Sequence, residues 1–273
     1  MHSRDIPAHR SMPWGTALHQ YATAQRAAGR SAGTINLHRH YLRNLAETVR
    51  APWRATVLDL VDFVSREGWA PETRKSARAA VRGFYRWGHG MGYLDDDPAE
   101  ALPPVRVPAG IPRPTPEHLV AQLVARGDRL GFMAQLAAHG GLRRGEIARV
   151  HGRDLVVDVL VVQGKGGKVR EVPVIDRTLL RRLQRVQLAD DWAFPNGLGG
   201  HLSAGHVGRM LSAAMPEGWT AHTLRHRLGT AAYAGTRDLL AVQQLLGHSR
   251  PETTQRYVRI PDDAVRAAAA AAC

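Results

Sequence analysis

The amino-acid sequence predicts a mainly α-helical protein with a small antiparallel sheet, an α+β fold arranged in two domains. Three observations predict this architecture. Apolar residues recur with helical spacing along most of the chain, a proline-rich stretch interrupts that spacing, and one short region is rich in β-branched residues. At 273 residues the chain is long enough for two domains that each bury a core.

The first domain, residues 1–102, is predicted to be helical, with about four helices between residue 31 and about residue 93. Its apolar residues follow a helical period: Ile35, Leu37, Tyr41, Leu42, Leu45, Val57, Leu58, Val61, Phe63 and Val64. Ser31, Thr56 and Pro71 are predicted helix starts, because a hydroxyl caps free backbone N–H groups and proline suits the first turn. The predicted helix stops or turns are Gly68, Gly88 and Gly92.

A proline-rich segment separates the two domains. Between residues 95 and 116 prolines are too frequent for a helix or a central strand, and we place the linker at residues 103–115. Such a segment is either a semi-rigid tether between two domains or an ordinary loop, and the sequence supports both interpretations equally.

The second domain, residues 116–262, is predicted to mix helices with one β-hairpin. A new helical pattern runs through Leu119, Leu123 and residues 130–136. Residues 156–162 and 169–174 are rich in β-branched residues and flank a glycine-rich turn at 164–168, which predicts two paired strands. Residues 263–273 form an alanine-rich C-terminal tail, predicted to be an exposed helix.

The composition points to a polyanionic partner and away from several other classes. The formal net charge is +13 and the pI is about 11.0, although an arginine-rich composition also follows from a GC-rich genome. The single cysteine, Cys273, excludes an internal disulfide and a cysteine zinc site, and the histidines show no paired ligand spacing, so we expect a metal-free protein. With no signal peptide and no apolar run of membrane-spanning length, we expect a cytoplasmic protein without a membrane partner.

Two basic segments of the second domain carry residues suited to phosphate chemistry. Arg143 is predicted to stand where a helix begins, a place that suits an anionic oxygen, although a lone arginine is usually a surface residue. Lys165 and Lys168 lie in the hairpin turn, and Lys75 is the only other lysine in the chain. An ammonium can release its proton where a guanidinium cannot, so a general acid here would be a lysine; the alternative is a pair of solvated turn residues.

Two later segments add imidazoles and one further guanidinium. Thr220 is a predicted N-cap, so His222 and Arg225 would share one face of the first turns of a helix. His226 and Arg227 are interpreted as DNA-backbone contacts or plain surface.

The residues that follow offer a histidine and a tyrosine. A helix over residues 239–246 is predicted to end at Gly247, followed by His248 and a second helix that carries Tyr257. Taken singly, His248 is more typical of a turn and Tyr257 of a core.

Taken together, these residues resemble the tyrosine recombinase, or phage integrase, family. The set is Arg143, Lys165, His222, Arg225, His248 and Tyr257, with 23 residues from Arg225 to His248 and 9 from His248 to Tyr257. The segments that carry the resemblance are GLRRGEI, GKGGKVREVPV, HTLRH and LLGHS followed by TTQRY, within residues 115–260. Residues 31–104 resemble the family's helical core-binding domain only in size, helicity and position. Gly140 and Arg227 depart from the family pattern without removing a catalytic group.

The resemblance implies that the second domain is a DNA breaking and rejoining domain. Tyr257 would attack a phosphodiester to give a 3′-phosphotyrosyl bond and a free 5′-hydroxyl. Arg143 and Arg225 would hold the non-bridging oxygens and stabilise the transition state.

Of the other three residues, two would transfer protons and one would bind the phosphate. His222 is the candidate base for the tyrosine and Lys165 the candidate acid for the departing oxygen, while His248 would hydrogen-bond the phosphate. No metal, ATP or other cofactor is required.

The resemblance also implies the partners and the biological setting. They are double-stranded DNA attachment sites, a homotetramer on two such sites, and an accessory DNA-bending or directionality protein, in the nucleoid of a bacterial host. The expected role is integration of phage or mobile-element DNA by a short integrase without an added arm-binding domain. Two alternatives stay open: a host Xer-type resolvase of chromosome dimers, and a non-catalytic DNA-binding regulator.

Two further surfaces have more than one interpretation. The basic residues Arg74, Lys75, Arg78 and Arg82 lie on one potential helix face, which would either track DNA or be a solvated face. The alanine-rich tail would either pack on a neighbouring protomer or act as a degradation tag.

Overall fold

The computed structural model of the protein describes residues 12–108, 113–164 and 167–247. The chain divides into two compact units, residues 1–110 and 111–273, so the division falls within the predicted linker. Lys165, His248 and Tyr257 lie outside the described residues. No helix of the described segments is long and apolar enough to cross a membrane.

Four α-helices form the described part of the first unit. They are α1 (Trp14–Ala27), α2 (Ala32–Ala46), α3 (Val57–Val64) and α4 (Pro71–Gly90), with a short 3₁₀ turn at Pro52–Arg54. Helix α2 packs against both α1 and α4, and α3 packs against α4.

The predicted helix starts of this unit are confirmed. The Ser31 hydroxyl accepts a hydrogen bond from the Thr34 N–H, and Pro71 is the first residue of α4. Thr56 and Asp59 form a reciprocal capping box, in which each side chain accepts from the other residue's backbone N–H.

Three features of the first unit differ from the sequence prediction. Helix α1 was missed because its buried face is made of Ala17, Tyr21, Ala22 and Gln25, which give a weak apolar period. Gly88 does not end a helix: it lies inside α4, where an added Cβ would come within 2.5 Å of the Trp53 ring. A glycine is needed there because the indole packs directly against the helix backbone. Leu58, predicted as part of the apolar pattern, is 74% exposed.

The core of the first unit contains a cluster of aromatic rings among its aliphatic residues. The rings of Trp53 and Phe84 stack with centroids 5.0 Å apart. The Trp14 ring also stacks on Phe84, with a centroid distance of 5.5 Å. Tyr93 contacts Trp53 at 5.1 Å. These rings bury large areas and fix the packing of α1 and α4 through ring geometry.

The second unit surrounds one buried helix. Its described helices are α5 (Glu117–Val124), α6 (Arg129–Ala138), α7 (Arg144–Ile147), α8 (Arg177–Ala189), α9 (Ala204–Ala213), α10 (Ala221–Thr236) and α11 (Leu239–Leu246). Helix α6 is buried from Gly131 to Ala138 and contacts α5, α7, α8, α9 and α10. Apart from Gln135, the buried residues of α6 are apolar or glycine, and a helix that is apolar on most sides occupies such a central position.

The sheet has three antiparallel strands in the order β1-β2-β3. They are β1 (Leu155–Val156), β2 (Val159–Gln163) and β3 (Val169–Pro173), with Gln163 opposite Val169 at the glycine-rich turn. The predicted hairpin is therefore present. The predicted single strand over residues 156–162 was wrong, because a tight turn with Val157 at φ 58° divides it into β1 and β2.

Candidate active site

Arg225 is buried in the second unit and is held by backbone carbonyls. It lies in the second turn of α10, whose N-cap is Thr220 as predicted, and its side chain is 1% exposed. The guanidinium donates hydrogen bonds to the carbonyl oxygens of Gly141 and Leu246. The loop before α7 and the end of α11 thus fix the position of its charge.

Arg143 lies next to Arg225 but is open to solvent. It is the N-cap of α7, a helix of a single turn, so its charge rather than a helix terminus supplies the positive potential. Nη1 lies 2.8 Å from Glu146 Oε1, and Nη2 donates to the Gly247 carbonyl at 3.2 Å. Its side chain is 39% exposed, which leaves one face accessible to a ligand.

His222 lies on the exposed first turn of α10. Its backbone N–H donates to the Thr220 hydroxyl, and its Nε2 atom lies 2.8 Å from His226 Nε2. A short contact between two imidazole nitrogens requires one donor and one acceptor, so one of the two Nε2 atoms carries a proton and donates a hydrogen bond to the other. The sequence did not predict this contact for His226.

Arg143, His222 and Arg225 line one cavity of about 660 Å³. The remaining wall comes from Arg144, from the start of α10 at residues 220–221, and from α9, where the lining residues are Gly205, Gly208, Arg209 and Ser212. Guanidiniums can bind a phosphate group and an imidazole can carry a proton, so the residues around this open cavity have the chemistry that both tasks require. Within the described residues, no group of three or more histidine, cysteine or acidic side chains could hold a metal ion.

A buried carboxylate, Glu146, lies behind the two arginines. Its side chain is 3% exposed and accepts hydrogen bonds from the Arg143 backbone and side chain. Burial by itself raises the pKa of Glu146, but hydrogen bonds from Arg170 and Arg143, together with the charge of Arg170, lower that pKa to about 2. Glu146 is therefore ionised at neutral pH.

The lysine hairpin begins beside this carboxylate. The Gly164 N–H donates to the Lys168 carbonyl at 2.7 Å and closes the turn, and a Cβ added to Gly164 would lie 3.6 Å from Glu146 Oε1. Lys165, the predicted acid, is the next residue in the chain and lies outside the described residues. The same holds for His248 and Tyr257, although the Gly247 carbonyl that precedes His248 contacts Arg143.

Comparisons with known proteins identify the family of this chain. Residues 120–263 match the model of the phage integrase family. The chain belongs to the phage integrase family. Its members are site-specific recombinases that transfer DNA strands, and this chain is such an enzyme.

Relatives of this integrase-family protein extend the similarity over most of the chain. Tyrosine recombinase XerD of Caulobacter vibrioides is 29% identical over 90% of this chain and 92% of its own length. Tyrosine recombinase XerC of Xanthomonas campestris is 31% identical over 84% and 79%. The crystal structure of a lambda integrase dimer bound to a core site has a TM-score of 0.72 at 19% identity, covering 92% of this chain and 78% of that one, and shows that the fold is shared.

Several basic residues have partners that the sequence did not predict. Arg227 forms a bidentate pair with Glu117, 2.6 and 2.7 Å long, and these hydrogen bonds lower the pKa of Glu117. In α4, Arg78 donates to the Leu102 carbonyl and Lys75 lies 3.9 Å from Glu72. Arg78 thus contributes to packing within its own unit.

Sequence reasoning also passed over Glu146 and Arg170. Both lie inside the motifs that carry the family resemblance, at the end of GLRRGEI and in the middle of GKGGKVREVPV. The acidic residue within a basic motif could have predicted the pair. A buried carboxylate beside a phosphate-binding segment needs a cationic partner, because an unpaired buried charge is costly.

Proposed function

We propose that this recombinase cleaves and rejoins double-stranded DNA at specific sites through a 3′-phosphotyrosyl bond to Tyr257, and that it integrates phage or mobile-element DNA into a bacterial chromosome. The observation that carries the proposal is the convergence of Arg143, His222 and Arg225 on one cavity, although about eighty residues separate the first from the other two.

The arrangement suits stabilisation of a phosphorane. Arg225 is fixed and buried while Arg143 is partly exposed, so the two guanidiniums offer preorganised charge to non-bridging oxygens entering the cavity. Loss of one such charge typically costs about 3–4 kcal/mol of barrier.

Three residues would handle protons and the phosphate. His222 lies at the cavity and would accept the Tyr257 proton, because an unperturbed tyrosine pKa of about 10 leaves the hydroxyl protonated at neutral pH. Lys165 would protonate the departing 5′-oxygen and His248 would hydrogen-bond the phosphate. The reverse attack by a 5′-hydroxyl would rejoin the strand without a cofactor.

The partner is DNA, and the assembly that exchanges strands is a homotetramer on two sites. The net charge of +13 favours a polyanion, and the lambda integrase of similar fold is bound to a core site as a dimer. An accessory DNA-bending or directionality protein and a cytoplasmic, nucleoid-associated location complete the proposal. The helical first domain, residues 1–102, would bind the core site, and residues 116–262 would carry the chemistry.

A host Xer-type resolvase is the second candidate function. It is favoured by the relatives named XerD and XerC, which match most of this chain at 29% and 31% identity. The two functions share the same strand-transfer chemistry and differ in which pairs of sites recombine.

Covalent capture from a randomised library tests the chemistry and selects the target sequence in one experiment. The full-length protein is incubated with a library of nicked suicide duplexes that carry a randomised recognition arm, and covalent adducts are isolated and sequenced. We expect an adduct enriched for one sequence, insensitive to metal chelation, and absent in Tyr257→Phe. Enrichment by binding alone, with no adduct, would contradict the proposed mechanism.

A matched tyrosine serves as the control. Tyr233 lies in α10, partly buried against Val242 and Leu246, outside the cavity. Tyr233→Phe should retain adduct formation. If both tyrosine variants lose it equally, the loss reports folding rather than the nucleophile.

Recombination of the captured sequence distinguishes the two biological roles. Two direct copies on one supercoiled plasmid are incubated with the protein, alongside a plasmid that carries the captured sequence and a genomic library of second sites. Recombination only between two different sites supports integration. Efficient excision between identical copies supports the resolvase.

A further inference from the structure

Arg170 joins three parts of the catalytic unit. It lies in β3, the strand after the lysine turn, and its side chain is 9% exposed. Nη1 and Nη2 donate to the two carboxylate oxygens of Glu146 at 3.1 and 2.7 Å, and Nε donates to the Leu245 carbonyl at 3.2 Å. One guanidinium thus connects β3, the helix α7 that carries Glu146, and the end of α11.

The end of α11 is held by three arginines in succession. Arg170 binds the carbonyl of residue 245, Arg225 that of residue 246 and Arg143 that of residue 247. The last carbonyls of a helix have no partner inside the helix, so these guanidiniums satisfy them. Gly247 permits the arrangement, because its φ is 61° and a Cβ there would lie 2.7 Å from Arg170 Cδ.

All three arginines also surround the same carboxylate. Glu146 lies 2.8 Å from Arg143, 2.7 Å from Arg170 and 3.8 Å from Arg225. Three positive charges and one negative charge leave a net charge of +2. Arg170 faces Glu146 from the sheet side and is absent from the cavity wall, so its charge offsets the carboxylate and leaves the charges of Arg143 and Arg225 for the ligand.

We propose that Arg170 is a positioning residue for strand cleavage: it neutralises Glu146 and thereby keeps the guanidiniums of Arg143 and Arg225 directed at the scissile phosphate. Among the described residues, the buried carboxylate without Arg170 would keep only the two cavity arginines as counter-ions, and it would compete with the phosphate for them. The inference rests on the proposed function, since it assigns those two arginines to phosphate binding.

The test is a double-mutant cycle of Arg170 and Glu146. The rate of adduct formation is measured with the full-length protein and the captured suicide duplex. Arg170→Gln should slow adduct formation about 100-fold while DNA affinity changes less than about threefold, because the change affects the transition state more than general phosphate binding. Arg170→Lys keeps the charge but loses the bidentate geometry, and should be slowed only about tenfold.

The double variant separates charge neutralisation from simple structural support. Glu146→Gln combined with Arg170→Gln removes both charges, so adduct formation should recover at least about tenfold relative to Arg170→Gln alone. A double variant as slow as Arg170→Gln, or slower, would overturn the proposal, and so would an Arg170→Gln variant with the unmodified rate.

Arg149 provides the matched control. Its guanidinium also donates to backbone carbonyls, those of Gly145 in α7 and Gln163 in β2. Arg149 contacts Glu146 through the backbone, where its N–H donates to the Glu146 carbonyl, whereas the ion pairs of the Glu146 carboxylate are with Arg143, Arg170 and Arg225. Arg149→Gln should keep the rate within about threefold. Thermal unfolding of each variant identifies any that fail to fold, in which case Arg170→Lys carries the comparison. If the unmodified protein forms no adduct, the proposed function fails; if it does and the cycle shows no recovery, only the role of Arg170 fails.

Discussion

The two units of the molecule bury different kinds of side chain. In the described part of the first unit the only buried polar residue is Gln25, and a cluster of aromatic rings lies among the aliphatic residues of the core. In the described part of the second unit the core is mostly aliphatic, yet Glu146 and Arg225 are among its buried residues. One unit gains stability from apolar area and ring packing, and the other places an ionic cluster against its core.

The difference shows which unit buries charges that contribute little to the free energy of unfolding. A buried ion pair adds little net stability compared with apolar residues of similar volume, although removing one partner is strongly destabilising. The aromatic core is explained by packing alone. The ionic cluster is better explained by the fixed charge that it presents to the cavity.

Removal of Arg225 should give the largest effect. Arg225→Ala leaves the Gly141 and Leu246 carbonyls without this donor and removes a positive charge 3.8 Å from Glu146, so we expect the free energy of unfolding to fall by about 3–5 kcal/mol. Arg143→Ala, at a residue 39% exposed, should cost only about 1 kcal/mol, although both variants should lose adduct formation. Urea denaturation followed by circular dichroism measures the first effect, and equal midpoints for the two variants would contradict the distinction.

Acid should weaken the second unit through Glu146. The folded pKa of about 2 lies below the ordinary value of 4.5, so its stabilising contribution is full above pH 4.5 and is lost as pH falls through about 2. The contribution is on the order of 3 kcal/mol. Glu146→Gln lacks this titration, so its melting temperature should change less than that of the unmodified protein between pH 5 and pH 2, in the same buffers. Parallel curves would show that Glu146 does not titrate in this window.

A methyl group placed in the aromatic core should destabilise the first unit. Gly88→Ala puts a Cβ 2.5 Å from the Trp53 ring, and we expect a loss of about 1–3 kcal/mol from this overpacking. Gly90→Ala, in the same helix with no atom within 4 Å of the new Cβ, should be neutral or slightly stabilising. Tryptophan fluorescence during unfolding reports the difference. A Gly88→Ala variant as stable as Gly90→Ala would mean that the indole moves aside at little cost.

Helix caps should have the smallest effect and should not distinguish the units. Thr56 caps α3 in the first unit and Ser203 caps α9 in the second, with side-chain oxygens 3.2 and 3.1 Å from backbone nitrogens. Thr56→Ala and Ser203→Ala should each cost about 1 kcal/mol. A much larger loss for Ser203→Ala would show that this cap also holds the cavity wall formed by α9.

Features with local causes could be predicted from the sequence. The caps Ser31, Thr56 and Thr220 and the helix end at Gly247 depend on residues within one turn, and the structure confirms each of them. The family match is confirmed as well, because its motifs are short and occur in a fixed order. The roles of the six predicted site residues stay predictions.

Features that depend on distant packing could not be predicted. Helix α1 carries small and polar residues on its buried face, so its burial comes from the rings of the other helices rather than from its own pattern. Gly88 was interpreted as a helix stop because nothing local reveals the Trp53 ring beside it.

The sequence alone determined the family, the mixed α+β class and the order of the basic motifs, since each is encoded in residue type and spacing. Only the tertiary structure decided which charges meet. Arg170 reaches Glu146 across 24 residues and Leu245 across 75, and Arg225 reaches Gly141 across 84. Pairing of buried charges depends on distance and desolvation in the folded chain, and these quantities have no counterpart in local sequence.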